Sequence, residues 1–403
     1  MNTILQLTPH DPLIARDGRP FGAGQGNRMR GLPWPLPSVV AGSFRTALVK
    51  AGTGDFSGDM PTTLLEKVHV AGVFPVHERT LYLPAPNDAV TEPTEDGKEI
   101  KAIHRVRPLE NFGGCDFPDD LPLLPVMLPN DVIDFKASDS PAWWPVSKIA
   151  DWLLNKPIIF DKEFLNAPVQ SMRDHVAIEA DRGAAEEGKI FASSNLNVTH
   201  LPRFGVKGSE EAKNVKTFPE RFAEVTLSAR VTVPDNGFEH FKDFDIWHPL
   251  GGERRMVHWQ KADSDLWQCP DAIRDALKTA TKVRMVLATP AIFKDGWKPG
   301  WLTNGLEGEL SGIKLKLVGV SNGRWKAVSG WSLADTKDQP RGPKPIRRMV
   351  PAGSVYFFEV AKPGDAAPLA DLWLQSVSDD KKEQRDGFGL AIWGTWDSVQ
   401  ETK

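Results

Sequence analysis

Cysteine is nearly absent. Cys115 and Cys269 are the only two in 403 residues, far apart and outside any C-x-x-C spacing. That excludes a disulfide framework and a thiolate metal site, and fits a reducing compartment. Long apolar runs are missing too. LPLLPVMLP, residues 121–129, is broken by three prolines, so no helical membrane span is expected. The opening MNTILQLTPHD has neither the basic nor the apolar region of a signal peptide, and a cytoplasmic location is expected. None of the nine histidines forms an H-x-x-x-H or H-E-x-x-H pair, which argues against zinc hydrolysis. G-x-x-x-x-G-K-[ST] is absent, so no nucleotide-hydrolysing P-loop is expected. No cofactor and no metal are expected. Positive charge is not in excess either: the formal balance is −4. A protein that covers naked duplex with a whole face is usually basic, so any nucleic-acid role here must rest on local clusters.

What is present reads as an ordinary globular chain, 40% apolar and 25% charged, long enough for two domains. TILQLTP alternates as a strand. A helix is expected from about Ser38, a plausible N-cap, with Val40, Phe44, Ala47, Leu48 and Ala51 on its buried stripe. KVHVAGVFPV and RTLYLPAP follow as strands. From Pro84 to Pro145 ten prolines erase the periodicity, which suggests an insertion, about 84–170, packed on the first domain. HVAIEADRGAAEEGKIFAS reads as two strands around a polar loop.

The polar stretch from Gly208 to Thr217 marks the expected boundary, giving units at 1–212 and 213–403. In the second unit RFAEVTLSARVTV is a strand and CPDAIRDALKTATK a helix. KVRMVLATPAIF is a buried strand, and Asn322-Gly323 marks a hairpin between GIKLKLVGVS and RWKAVSGWSL. SVYFFEV, a helix over APLADLWLQSV and a strand at FGLAIWGTW complete it. The order β-α-β-β-α-β appears in both halves, so the expected class is α+β, two ferredoxin-like (RRM-like) units with insertions.

Four clusters could carry chemistry. Asp11 to Gly31 holds Arg16, Arg19, Arg28 and Arg30 among five glycines and leads into the helix at Ser38. Glycine permits close backbone approach, arginine offers a planar fork for phosphate, and a helix start favours anions. Solvated surface charge explains the same pattern. GPKPIRRMVPAG brings Arg347 and Arg348 beside a strand, and GGERRM brings Arg254 and Arg255. DGFGLAIWG places Gly387 and Gly389 at a turn, where a turn needs glycine anyway. His175 and His10 are the candidates for acid–base work, although a lone histidine opening a strand is usually structural. A few of the fourteen tryptophans could stack on bases.

DPLIARDGRPF followed by LPWPLPSVVAGSFRTAL closely resembles the opening of the guide-handle-binding subunits of the type III-B CRISPR (Cmr) effector complexes, in the RAMP superfamily. The matching positions are Asp11, Pro12, Leu13, Arg16, Asp17, Gly18, Arg19, Pro20 and Phe21. Pro37, Ser38, Ala41, Gly42, Arg45, Thr46, Ala47 and Leu48 then match the helix. HVAIEADRGAAEEGKIF, GGERRM and GFGLAIWG are similar to later family segments and occur in family order. The resemblance implies a non-catalytic subunit that holds the 5′ handle of the crRNA. Its implied partners are the large polymerase-like subunit, a backbone RAMP subunit and, indirectly, target RNA. The resemblance and the local basic clusters together point to Arg16, Arg19, Arg28, Arg30, Ser38, Arg45, Arg254, Arg255, Arg347, Arg348, Gly387 and Gly389 as RNA-binding residues. The alternative within the superfamily is a guide-processing endoribonuclease, which needs a base near the scissile 2′-hydroxyl.

Overall fold

The computed structural model describes residues 1–17, 29–53, 62–96, 99–110, 122–129, 132, 135–205, 218–262, 265–332 and 342–396. Arg19 and Arg28, most of the Gly-rich segment and the expected boundary at 208–217 lie outside them. The fold is mixed α/β, mostly strands with few helices. No helix among the described residues is long and apolar enough to cross a membrane.

In chain order the first part gives β1 (Asn2–Pro9), α1 (Pro37–Thr53), β2 (His69–His77), β3 (Thr80–Pro84), β4 (Trp143–Pro145) and α2 (Val146–Leu153). A ribbon of β5 (Val169–Ile178) and β6 (Ala185–Asn197) follows, then β7 (Thr226–Thr232), β8 (Asp245–Pro249) and β9 (Met256–Ala262). The remainder gives α3 (Asp271–Leu277), β10 (Lys282–Leu287), β11 (Glu307–Leu310), β12 (Ile313–Ser321), β13 (Lys326–Val328) and β14 (Arg347–Met349). It ends with β15 (Val355–Glu359), β16 (Gln375–Ser376), α4 (Lys381–Arg385) and β17 (Leu390–Thr395).

Two antiparallel sheets organise the chain. The first runs β8-β9-β1-β7-β2-β3-β4 and the second β11-β12-β15-β10-β17-β16. In the first, Leu5 and Leu7 of β1 and Ala229 and Val231 of β7 are fully buried under Val40, Phe44, Ala47 and Leu48 of α1. That is the helical stripe meeting the alternating strand faces.

The sheets differ from the sequence expectations in four places. β7, read as opening the second unit, is the inner neighbour of β1, with Leu5 opposite Ala229. β9 flanks β1 on the other side, Leu7 opposite Trp259. The expected division at 212/213 therefore runs through the first sheet. Alternation identified these strands, but partner choice is a tertiary matter. The expected hairpin at Asn322-Gly323 does not form: β12 pairs with β11 and β15, and β13 pairs with β14. APLADLWLQSV gives only a 3-10 turn over Ala367–Leu372.

The fourth difference concerns the proline-rich insertion, which joins both sheets rather than packing on the first. Asn87 N–H donates to Gly353 O at 2.7 Å and Leu124 N–H to Val318 O at 2.8 Å. At its centre Asp88 and Arg284 form an ion pair at 2.5 Å, with 0% and 1% exposed side chains. Trp152 Nε1–H donates to the other Asp88 oxygen at 2.8 Å. Arg284 also reaches the carbonyl of Trp152 and, at 3.2 Å, Asn155 Oδ1. The guanidinium of Arg105 sits 3.8 Å from the centre of the Trp152 ring. Burial, and then the nearby Arg284, push Arg105 down to about 10.

Candidate nucleic-acid interface

The arginine-rich N-terminal segment is anchored at both of its described ends. Leu13 and Leu196 of β6 exchange backbone hydrogen bonds at 2.9 and 2.7 Å. Met29 N–H donates to Ala192 O, also on β6, at 2.9 Å. The two ends are joined by Leu32 N–H to Ala15 O, 2.8 Å, and Asp17 N–H to Arg30 O, 3.3 Å. Leu13, Ile14 and Ala15 are buried, while Arg16 and Arg30 are exposed. Apolar residues thus fix the frame, and the arginines leave it outward.

The GGERR turn between β8 and β9 closes the other side. Gly252 N–H donates to Ile14 O at 2.8 Å. Gly251 has φ +81°, and a Cβ there would lie 2.5 Å from Ile14 O, so only glycine lets the turn approach so closely. Glu253 and Arg254 also sit at positive φ, 55° and 50°. Such strain is held only where surroundings enforce it, and it presents Arg254 to solvent. Arg255 turns inward: Nη2 donates to Asn195 Oδ1 at 3.2 Å, and its buried Nε has no hydrogen-bond partner among the described residues. Asn195 is fully buried and donates to Ser193 Oγ at 3.1 Å. Four of the expected residues, Arg16, Arg30, Arg254 and Arg255, therefore share one framework. No ion pair among the described residues engages any of them. Asn195 and Ser193 were passed over in the sequence; their signal was a polar Ser-Ser-Asn triplet within a strand.

The other expected residues divide differently. Ser38 is not the N-cap, because α1 already includes Pro37 and the Leu36 carbonyl accepts from Val39 and Val40. Arg45 is committed within the chain. Nη1 bonds Asp386 Oδ1 at 2.6 Å and Nη2 bonds Val68 O at 2.8 Å. Burial lowers its pKa, with Asp386 opposing. Gly387 and Gly389 are also internal. The N–H groups of Gly387, Phe388 and Gly389 donate to Gln384, Glu383 and Pro290 carbonyls, so none remains for phosphate. Arg347 pairs with Glu383, and Arg348 lies 4.9 Å above the Trp325 ring on the β13–β14 ribbon. The helix start and the DGFG turn are thus joints of the fold, and Arg347 and Arg348 lie in a mixed-charge hollow with Asp295, Asp379, Asp380 and Glu383.

The histidine candidates carry structural contacts. His175 Nε2 bonds Ser193 Oγ at 2.8 Å, and its ring stacks on Phe191 at 4.8 Å. One G-x-S-x-G pentapeptide, Gly319 to Gly323, has the spacing of a serine nucleophile elbow. The next element is the strand β13 rather than a helix, and Ser321 Oγ donates to Asn87 O at 3.0 Å.

A family model described as "CRISPR-associated protein (Cas_Cmr3)" matches residues 5–396. The chain belongs to this family, and so is a component of the type III-B CRISPR (Cmr) machinery. No curated protein matches it. Among solved structures, one chain of a type III-B Cmr-beta complex bound to cognate target RNA and AMPPnP is similar at 13% identity and a TM-score of 0.45. The match covers 88% of this chain and 86% of that one. A chain of a Csm3-Csm4 subcomplex of the type III-A interference complex is similar at 9% identity, TM-score 0.34, covering 90% and 94%.

Proposed function

We propose that this chain is the non-catalytic subunit that holds the 5′ handle of the crRNA, and that it joins the large polymerase-like subunit to a backbone RAMP subunit. The observation that carries this reading is the anchored frame of Arg16, Arg30, Arg254 and Arg255, with no ion pair among the described residues committed to them. Arginine forks on a rigid frame suit phosphates along a single strand. We also read the two cores, β9-β1-β7-β2 and β12-β15-β10-β17, as ferredoxin-like units. Numbered along the chain, each has the order 4-1-3-2 or its reverse with every neighbour antiparallel, the pattern of two interleaved β-α-β crossovers.

The test is guide occupancy of the assembled complex. Arg16→Ala and Arg254→Ala are each expected to weaken handle retention by about 1.5–3 kcal/mol, the scale of hydrogen bonds to charged groups. Each should reduce the log–log salt slope by about 0.7. Arg79→Ala, in the exposed β2–β3 turn, is the control. Equal losses at all three would mean that general charge matters and this frame does not.

A second measurement concerns catalysis. His175 is bonded to Ser193 and stacked on Phe191, which supports a positioning role within the ribbon. His175→Ala is expected to leave target-RNA cleavage by a fully assembled, guide-loaded complex unchanged. Lost cleavage with assembly intact would restore the endoribonuclease alternative.

A further inference from the structure

The hairpin that carries the arginine turn also carries an aromatic stack. Ile246 and Trp259 lie opposite each other and face the α1 core. The next pair along, Trp247 and His258, faces the other way, because side chains alternate along a strand. Trp247 is 56% exposed. Its ring lies nearly flat against His258, with centroids 4.9 Å and planes 15° apart. His10 meets it edge-on at 5.9 Å. His258 is itself held by Asp245, Nε2 to Oδ1 at 2.6 Å. The exposed indole is therefore braced from two sides, so little rotamer freedom remains to be lost when another ring binds.

Its neighbours are polar. Thr8 lies opposite His258 and Gln6 opposite Gln260, on the adjacent strands β1 and β9. Hydroxyl and amide groups of this kind both donate and accept, as base edges require. Beyond Pro249 at the end of β8, the chain turns directly into Gly251 to Arg255. A flat aromatic surface and the exposed Arg254 thus follow one another on one hairpin, with hydrogen-bonding side chains beside them on β9 and the adjacent β1.

We propose that Trp247, stacked on His258, is the platform for one unpaired base of the RNA whose phosphates meet Arg16 and Arg254. The proposal rests on the handle-binding reading and adds a base subsite to it. The polar surroundings favour a base over an apolar side chain of a partner protein, which would leave Gln6, Thr8 and Gln260 unpaired.

The test uses the full chain at low salt and fluorescence anisotropy with two labelled oligomers of equal length. One is a single-stranded RNA; the other has the same backbone with abasic residues. Trp247→Ala is expected to weaken binding of the normal RNA about ten-fold, the scale of base–aromatic stacking. Trp247→Phe should recover most of that loss. The abasic oligomer should bind wild type and Trp247→Ala equally, and the salt slope of Trp247→Ala should match wild type. Because Trp247 is exposed, an unchanged thermal midpoint is the folding control.

Equal weakening of both oligomers overturns the platform. So does wild-type affinity in Trp247→Ala when Arg254→Ala still weakens binding, a result that leaves the handle reading standing. Failure of the wild-type chain to bind either oligomer overturns both. Intact RNA binding with loss of a co-purifying subunit would assign the face to a protein contact and overturn the platform.

Discussion

Replacing Asp88 by alanine is expected to destabilise the chain by about 3–5 kcal/mol, the cost of leaving one member of a buried ion pair uncompensated. Arg284 would keep its charge with 1% of its side chain exposed, and Trp152 Nε1–H would lose its acceptor. Asp88→Asn should fall between wild type and alanine, since an amide oxygen can still accept from Trp152 while the charge is gone. The double change Asp88→Leu with Arg284→Met should recover most of the loss, because removing both charges also removes their desolvation. Urea unfolding of the four proteins measures this. A loss below about 1 kcal/mol for Asp88→Ala, the range of exposed ion pairs, would show that water reaches the pair.

The second large effect is expected at the DGFG turn. Gly387 has φ +87°, and a Cβ there would meet the backbone carbonyl of Val70 at 2.5 Å. Gly389 has φ +72° and faces Ser378. A side chain at either position combines left-handed strain, about 1–2 kcal/mol, with overpacking, about 1–3 kcal/mol. Gly387→Val should be the worse, because its Cβ would meet a strand carbonyl at 2.5 Å, whereas the nearest backbone atom at Gly389, Ser378 N, lies at 2.8 Å. Both variants should lose thermal stability, and the protein that remains folded should hold guide RNA normally. Lost guide with wild-type stability would return the turn to the RNA site. The turn has another duty: Asp386 holds Arg45 of α1, and Thr289 Oγ1–H donates to Gly387 O at 2.8 Å. It fastens the first sheet's helix to the second sheet.

Much of the local structure was legible because it is written in periodicity. The stripe of α1, the alternation of β1 and β7, and the β5–β6 ribbon each follow from side-chain spacing. What spacing does not contain is who pairs with whom. Asn322-Gly323 has the residues of a hairpin turn, yet β12 takes its partners elsewhere. In the candidate site, Arg16 and Arg254 stood out as arginines near glycines, and the structure joins them through Ile14 and Gly251. Arg45 and Gly389 stood out by the same logic but are occupied internally. Sequence shows that a group can bind; only the fold shows whether the chain has already engaged it. Trp247 lay unmarked among fourteen tryptophans, since strand alternation alone does not say which face stays open.

The position of β1 between β7 and β9 sets the timing of folding. Leu5 waits for Ala229, and Pro9 for Val257. At roughly 5–20 residues per second on the ribosome, the first strand stands unpaired for tens of seconds while the insertion and the ribbon are made. Pairings this remote also close slowly once the whole chain is free. During that interval an apolar edge is open to other nascent chains, so recovery of soluble protein should depend on translation rate and on chaperone supply more steeply than the stability of the finished fold suggests.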